Sequence, residues 1–245
     1  MATETQPRRQ NPRPLGGGLR NDADLSILAR MTQMQTRVAK NALGISTSPP
    51  TIVVYADVER LRAATCAHPL TVSFYDGRIH LVFDRTDWPK CLAHEYIHHA
   101  LADHRELPMW LHEGAAMHYS DDVSWMARWA ADEAQGDIPL EDMVAPFDQG
   151  SSDEDAIAIY TQAGIMTDFI RWIGHQSLAE VAHGGAAGGI PPEQLFGWAS
   201  GMDDRQLEFA WREFVTTRNG NQAMHEWVQT YLSAERQQAL GMFHQ

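Results

Sequence analysis

The stretch that most constrains this 245-residue chain runs from Asp87 to about Asp103. Asp87 followed by Trp88-Pro89 is a helix start, with Asp87 as N-cap and Pro89 in the first turn, where a missing N–H costs nothing. Leu92, Ala93, Tyr96, Ile97, Ala100 and Leu101 then recur at helical intervals. Inside this helix stands His94-Glu95-Tyr96-Ile97-His98. Residues four apart share a helix face, so His94 and His98 can direct their imidazoles at one metal ion, with Zn2+ (one per chain) the expected one. Glu95 lies about 100° round the helix, at the edge of that site. There it can take a proton from a water held by the ion instead of binding the ion itself.

Composition narrows the partners. The net charge is −13, which argues against nucleic acid or an anionic membrane surface. No apolar run reaches the length of a membrane-crossing helix. Residues 1–22 carry Arg8, Arg9, Arg13 and Arg20 among Pro, Gly and Gln, without periodicity or an apolar segment behind them. They read as a disordered tail and not as a secretory signal, so a cytoplasmic location is expected; a trimmed exported chain would read the same way. Cys66 and Cys91 make no disulfide framework. Cys91, three residues before His94, reads as small core packing ahead of any ligand role. Oligomeric state is not legible.

In chain order, residues 24–43 show helical spacing through Leu25, Leu28, Met31, Met34 and Val38, with Gly44 as the stop. Residues 51–55 form a β-branched strand and residues 57–64 a short helix. The runs 70–74 and 78–83 flank Asp76-Gly77 and predict a hairpin. One of its strands is placed to border the metal cleft, where an open edge can hold an extended peptide. Residues 109–119 predict a second helix after Pro108. Trp125 and Trp129 suggest one more in the acidic stretch 120–154, and helices near 155–173, 176–183, 192–200, 203–217 and 221–240 complete the chain. Trp172, Trp198, Trp211 and Trp227 read as core. The fold class is α+β: a small sheet with helices, then a helical half.

A catalytic zinc site takes a third protein ligand and leaves one position open. His104 continues a His-x-x-x-His-x-x-x-x-x-His spacing like that of the metzincins, but Leu101 stands where that pattern needs Gly. On an unbroken helix His104 lies about 240° beyond His98 and points away. Glu113 lies on the next helix, and two antiparallel helices joined by a short turn can set it opposite both histidines. His99, His112 and His118 read as surface or supporting residues, and Asp121 and Asp122 as loop acids.

The pair formed by the His94–His98 motif and Pro108-Met109-Trp110-Leu111-His112-Glu113-Gly114-Ala115-Ala116 resembles the gluzincin metallopeptidases, in particular the peptidase-MA-like family. The resemblance covers residues 51–119 specifically and extends weakly to about 217. It implies a zincin-like fold with Glu113 as third ligand. Residues 23–245 then form a single catalytic domain, with the sheet and metal-site helices in about 45–120 and a helical lobe in about 121–245. It also implies a helix across the cleft from which Tyr160 can stabilise a developing oxyanion. A core tyrosine is the plainer reading of Tyr160. The expected activity is hydrolysis of an amide bond in a peptide or protein substrate, with Glu95 as general base. Two other uses fit the same motif: a metal-binding domain that cleaves nothing, and a zincin fold acting on a small molecule or modified peptide.

Overall fold

The computed structural model describes residues 22–65, 71–83, 85–104, 107–122, 153–174, 176–186, 188–203, 205–207, 209–211 and 214. The elements are α1 (Asp22–Leu43), β1 (Ile52–Tyr55), α2 (Val58–Thr65), β2 (Ser73–Tyr75), β3 (Ile79–Val82), α3 (Trp88–Ala100), α4 (Met109–Tyr119), α5 (Asp153–Ile173), α6 (Leu178–Ala186) and α7 (Pro192–Ser200). The mixed α+β class expected from the sequence is present. Residues 1–21 of the expected tail, the helix around Trp125 and Trp129, the helix at 221–240, Cys66 and Trp227 lie outside the described residues, and Asp22 already belongs to α1. No helix among the described residues is long and apolar enough to cross a membrane.

The sheet has the order β1-β3-β2, with β1 parallel and β2 antiparallel to the central β3. The hairpin loop is Asp76-Gly77-Arg78, since Tyr75 pairs with Ile79. Gly77 at φ 101° supplies the conformation an L side chain resists. Side chains alternate along a strand, so Ser73 and Tyr75 share a face with their partners Leu81 and Ile79. That face meets α3, where Ile79 and Leu81 pack with Leu92, Tyr96 and Ala100, and with Leu28 and Ala39 of α1. Phe74 and His80 point to the opposite face.

Helix α3 is apolar on more than one side, as a helix enclosed by the fold must be. Leu92, Tyr96 and Ala100 serve the sheet-side cluster, whereas Ile97 and Leu101 enter a second cluster with Trp110, Leu111 and Ala115 of α4, Met166 and Phe169 of α5, and Val181 and Leu195 beyond. The Thr36 hydroxyl donates to the Thr32 carbonyl (3.0 Å), so in its 2.7 Å contact with Tyr96 it accepts the tyrosine proton. This ties α1 to α3. A capping box starts α6: Ser177 N donates to Glu180 Oε2 (2.7 Å) and Glu180 N to Ser177 Oγ (3.2 Å).

Three expectations are corrected. Asp87 occupies the N-cap of α3, but its carboxylate makes no cap hydrogen bond; Arg85 holds it by a two-pronged contact instead, Nε to Oδ1 at 2.7 Å. The helix ends at Ala100, three residues earlier than the apolar spacing suggested, and a turn follows in which His104 N donates to Leu101 O (2.9 Å). Trp172 and Trp198 are 50% and 38% exposed and not core residues. Trp172 lays its ring against Phe169 and Phe214 and leaves the rest of the indole in solvent, a common compromise for so large a side chain. Trp211 is partly buried against the larger cluster.

Candidate metal centre

Helices α3 and α4 are joined by residues 101–108 and lie against each other, with Leu101 and Leu111 sharing a core. Pro108 takes an extended backbone (φ −67°, ψ 152°) and starts α4 directly. Glu113 thereby falls in the second turn, facing back toward α3. A small residue after it is obligatory. A Cβ on Gly114 would stand 2.7 Å from the Ala163 carbonyl oxygen and would overlap the Thr167 hydroxyl. Gly114 thus lets α5 approach α4 closely, which brings Tyr160 toward the same site.

The result is a triangle of donor atoms. His94 Nε2 lies 3.1 Å from His98 Nε2, and Glu113 Oε2 lies 3.4 Å from the first and 3.5 Å from the second. The side chains are 16%, 16% and 10% exposed, so the group is mostly withdrawn from water yet reachable. At these lengths the Glu113 contacts are charge pairs and not hydrogen bonds. Glu113 Oε2 is buried and has no hydrogen-bond partner. A buried carboxylate oxygen left this way is costly unless a cation meets it. His94, His98 and Glu113 can therefore hold a metal ion, and they are the group of potential ligands that comes together among the described residues.

Electrostatics agree. Burial works against a charged His98 ring, but the Glu113 carboxylate, with a further contribution from Glu95, holds its pKa up at about 9. Burial would raise Glu113; the His98 and His94 rings overcome it and keep the carboxyl far below the usual carboxylate range. Without a metal, a proton on His98 occupies the place a cation would take.

Around the triangle, Glu95 is buried and accepts a 2.7 Å hydrogen bond from Ser73 Oγ on β2. The pKa of Tyr160 is driven well above its ordinary value, first by the Glu113 carboxylate, then by burial and by Glu95. Its phenol therefore lies within the field of the site's acids, while its ring packs on the larger core cluster. The ring of His112 stacks beside His98 at a centroid distance of 6.4 Å, and its Nε2–H donates to the His104 carbonyl (3.1 Å). His99 donates through Nε2 to the Ser48 carbonyl (2.8 Å), so its Nδ1 accepts from the Tyr75 hydroxyl (3.2 Å).

His104 does not join the triangle. The turn after Leu101 carries it instead to a cavity of about 500 Å3 whose lining includes Leu43, Ile45, His183 and Trp198. Cys91 is half-buried and free, with burial pushing its thiol up to about 11. Among the described residues it joins no group that could hold a metal ion.

Sequence reasoning missed Ser73. Strand alternation put Ser73 and Tyr75 on one face, but nothing local said that this face meets α3 beside Glu95. A comparison of the chain with known protein families, curated proteins and solved structures finds no match.

Proposed function

We propose that this protein is a zinc-dependent hydrolase of the gluzincin type, acting on an amide bond in a peptide or protein. The observation that carries this reading is the convergence of His94 Nε2, His98 Nε2 and Glu113 Oε2 with the Glu95 carboxylate held alongside. Ligand atoms about 2.0–2.1 Å from a tetrahedral zinc stand about 3.3–3.4 Å from one another. The observed separations of 3.1, 3.4 and 3.5 Å fit that ion without rearrangement. Two nitrogens and one carboxylate also suit the preference of zinc for mixed donors.

A bound zinc ion supplies Lewis acidity, polarising a carbonyl and bringing the pKa of a water toward neutrality. The chain's own residues do the rest. Glu95 removes a proton from the attacking water and later returns it to the leaving nitrogen. Tyr160, whose high pKa keeps its hydroxyl protonated, donates a hydrogen bond to the carbonyl oxygen as charge develops there. His94, His98 and Glu113 fix the ion on two rigid helices.

A closed structural metal site would need a fourth protein ligand. The nearby candidates are otherwise engaged: His99 on Ser48 and Tyr75, His112 on His104, and Cys91 beside Ser73. That supports the catalytic reading over a purely structural one.

The test is metal content per chain by elemental analysis on wild type, Glu113→Ala and His104→Ala, followed by a peptide-library screen of the zinc-loaded protein with Glu95→Gln as control. One zinc per chain, lost with Glu113 and kept without His104, together with cleavage abolished in Glu95→Gln, is the expected result. Zinc without any cleavage would transfer the reading to a different reaction on the same site.

A further inference from the structure

Ser73 lies outside the motifs that define the site, yet among the described residues it makes the one side-chain hydrogen bond to Glu95. Its Oγ donates to Glu95 Oε1 at 2.7 Å. The contact follows from matching two periodicities. Strand residues two apart advance about 6.6 Å, and helix residues four apart about 6 Å. Ser73 and Tyr75 on β2 therefore fall in step with Glu95 and His99 on α3, and the second pair is also bonded, Tyr75 hydroxyl to His99 Nδ1 at 3.2 Å. The Tyr75 and His99 rings meet edge to face with centroids 5.6 Å apart. Two ties between one strand and one helix leave β2 no freedom to slide along α3. The Ser73 proton is directed at the carboxylate.

We propose that Ser73 is a positioning residue that fixes the rotamer of Glu95, engaging Oε1 so that Oε2 is presented to the water or substrate group at the metal. The inference rests on the hydrolase reading above, since it assigns Glu95 a partner at the ion. A buried carboxylate on a flexible side chain has several rotamers, and a hydrogen bond to a charged acceptor is strong enough to select one. Ser73 touches neither metal nor substrate; it acts through Glu95.

The test compares Ser73→Thr with Ser73→Val. These two side chains have nearly the same shape and both suit a strand, but only threonine keeps the hydroxyl. Each is made in the full chain, alone and combined with Glu95→Gln, and loaded with zinc. The probe is acetohydroxamate, which chelates zinc and shares a proton with a neighbouring carboxylate, so its dissociation constant by calorimetry reports where Glu95 points. Ser73→Val is expected to weaken binding about 10-fold or more, and Ser73→Thr to stay within about 3-fold of wild type. Zinc content should stay equal in the pair, while the melting temperature of Ser73→Val should fall somewhat below that of Ser73→Thr, because Glu95 loses a buried donor. In the Glu95→Gln background the Thr–Val difference should vanish, because no carboxylate remains to share the hydroxamate proton. Equal binding by the two variants overturns the proposal, as does a difference that survives in Glu95→Gln or a loss of zinc confined to Ser73→Val. Absence of zinc from wild type overturns the hydrolase reading and this inference with it, and elemental analysis separates that failure from the others.

Discussion

Two buried histidine groups lie on opposite sides of the small sheet, and they are satisfied in opposite ways. Behind the sheet, His80 is 3% exposed and has a partner on each ring nitrogen: Nε2–H donates to Asp76 Oδ1 (3.1 Å), and Nδ1 accepts from the Tyr55 hydroxyl (2.8 Å). Phe74 and Tyr55 pack on its ring, and Arg78 secures Asp76. Every polar atom of that ring is used within the chain. In front, the Nε2 atoms of His94 and His98 turn toward each other and toward Glu113 Oε2, which has no hydrogen bond. The first arrangement is complete as it stands. The second leaves a buried carboxylate oxygen without a hydrogen bond at a point where a metal ion could be held. What separates the two groups is whether the ring nitrogens diverge toward complementary partners or converge on one point.

The sharpest way to break this contrast is to remove one member of each histidine group at a time. Glu113→Ala should lower metal affinity more than about 100-fold, since loss of a ligand exceeds the 10–100-fold typical of its supporting residues. His80→Leu should leave metal content unchanged while lowering stability by about 1–3 kcal/mol in urea unfolding, because Tyr55 and Asp76 lose their buried partner. Loss of metal in His80→Leu would show that the two groups are one network.

Gly114→Ala comes next. The added methyl meets the Ala163 carbonyl and the Thr167 hydroxyl, so α5 must retreat from α4. A cost of about 1–3 kcal/mol is expected from overpacking, with weaker metal binding because Glu113 is adjacent. Wild-type stability in this variant would mean that α5 adjusts without strain.

A pH series then separates the metal-free from the metal-loaded protein. His98 has a folded pKa of about 9 against 6.5 for an ordinary histidine. The folded state holds the proton more tightly, so the stabilisation is full below about pH 6.5 and fades as pH rises through about 9. Glu113 acts in the opposite sense: its depressed pKa stabilises above the usual carboxylate range and loses that effect in acid. The melting temperature of the metal-free chain should fall from pH 6.5 to 9. The metal-loaded chain, in which the ion replaces the proton, should not follow it. Parallel curves would remove the metal from the account.

The smallest effect expected is that of Thr36→Val, which removes the contact between α1 and Tyr96 on the sheet side of α3. About 1 kcal/mol of stability should be lost in urea unfolding, with metal content intact.

Much of this was legible locally. The span of α4, the strand and hairpin order, and the helix bearing His94 and His98 follow from apolar spacing, Pro108 and Asp76-Gly77, because those signals act between residues only a few positions apart. The end of α3 at Ala100 was not legible, since Ala and Leu continue the helical pattern and only the packing of Leu101 and the turn to α4 stop it. The exposure of Trp172 and Trp198 was also hidden, because periodicity assigns a face but not how much of a large ring the neighbours cover.

The sequence by itself determined which side chains could share a helix face: His94 with His98, and Glu95 beside them, by the fixed pitch of the α-helix. It also supplied Glu113-Gly114, in which a ligand-type residue precedes a residue small enough for close contact. Only the tertiary structure decided that Glu113 and not His104 meets the two histidines, that Ser73 reaches Glu95, and that Tyr160 lies near both acids. Those outcomes depend on how separate elements stack. The distances between elements are set by the volumes of buried side chains drawn from the whole chain, which no local pattern encodes.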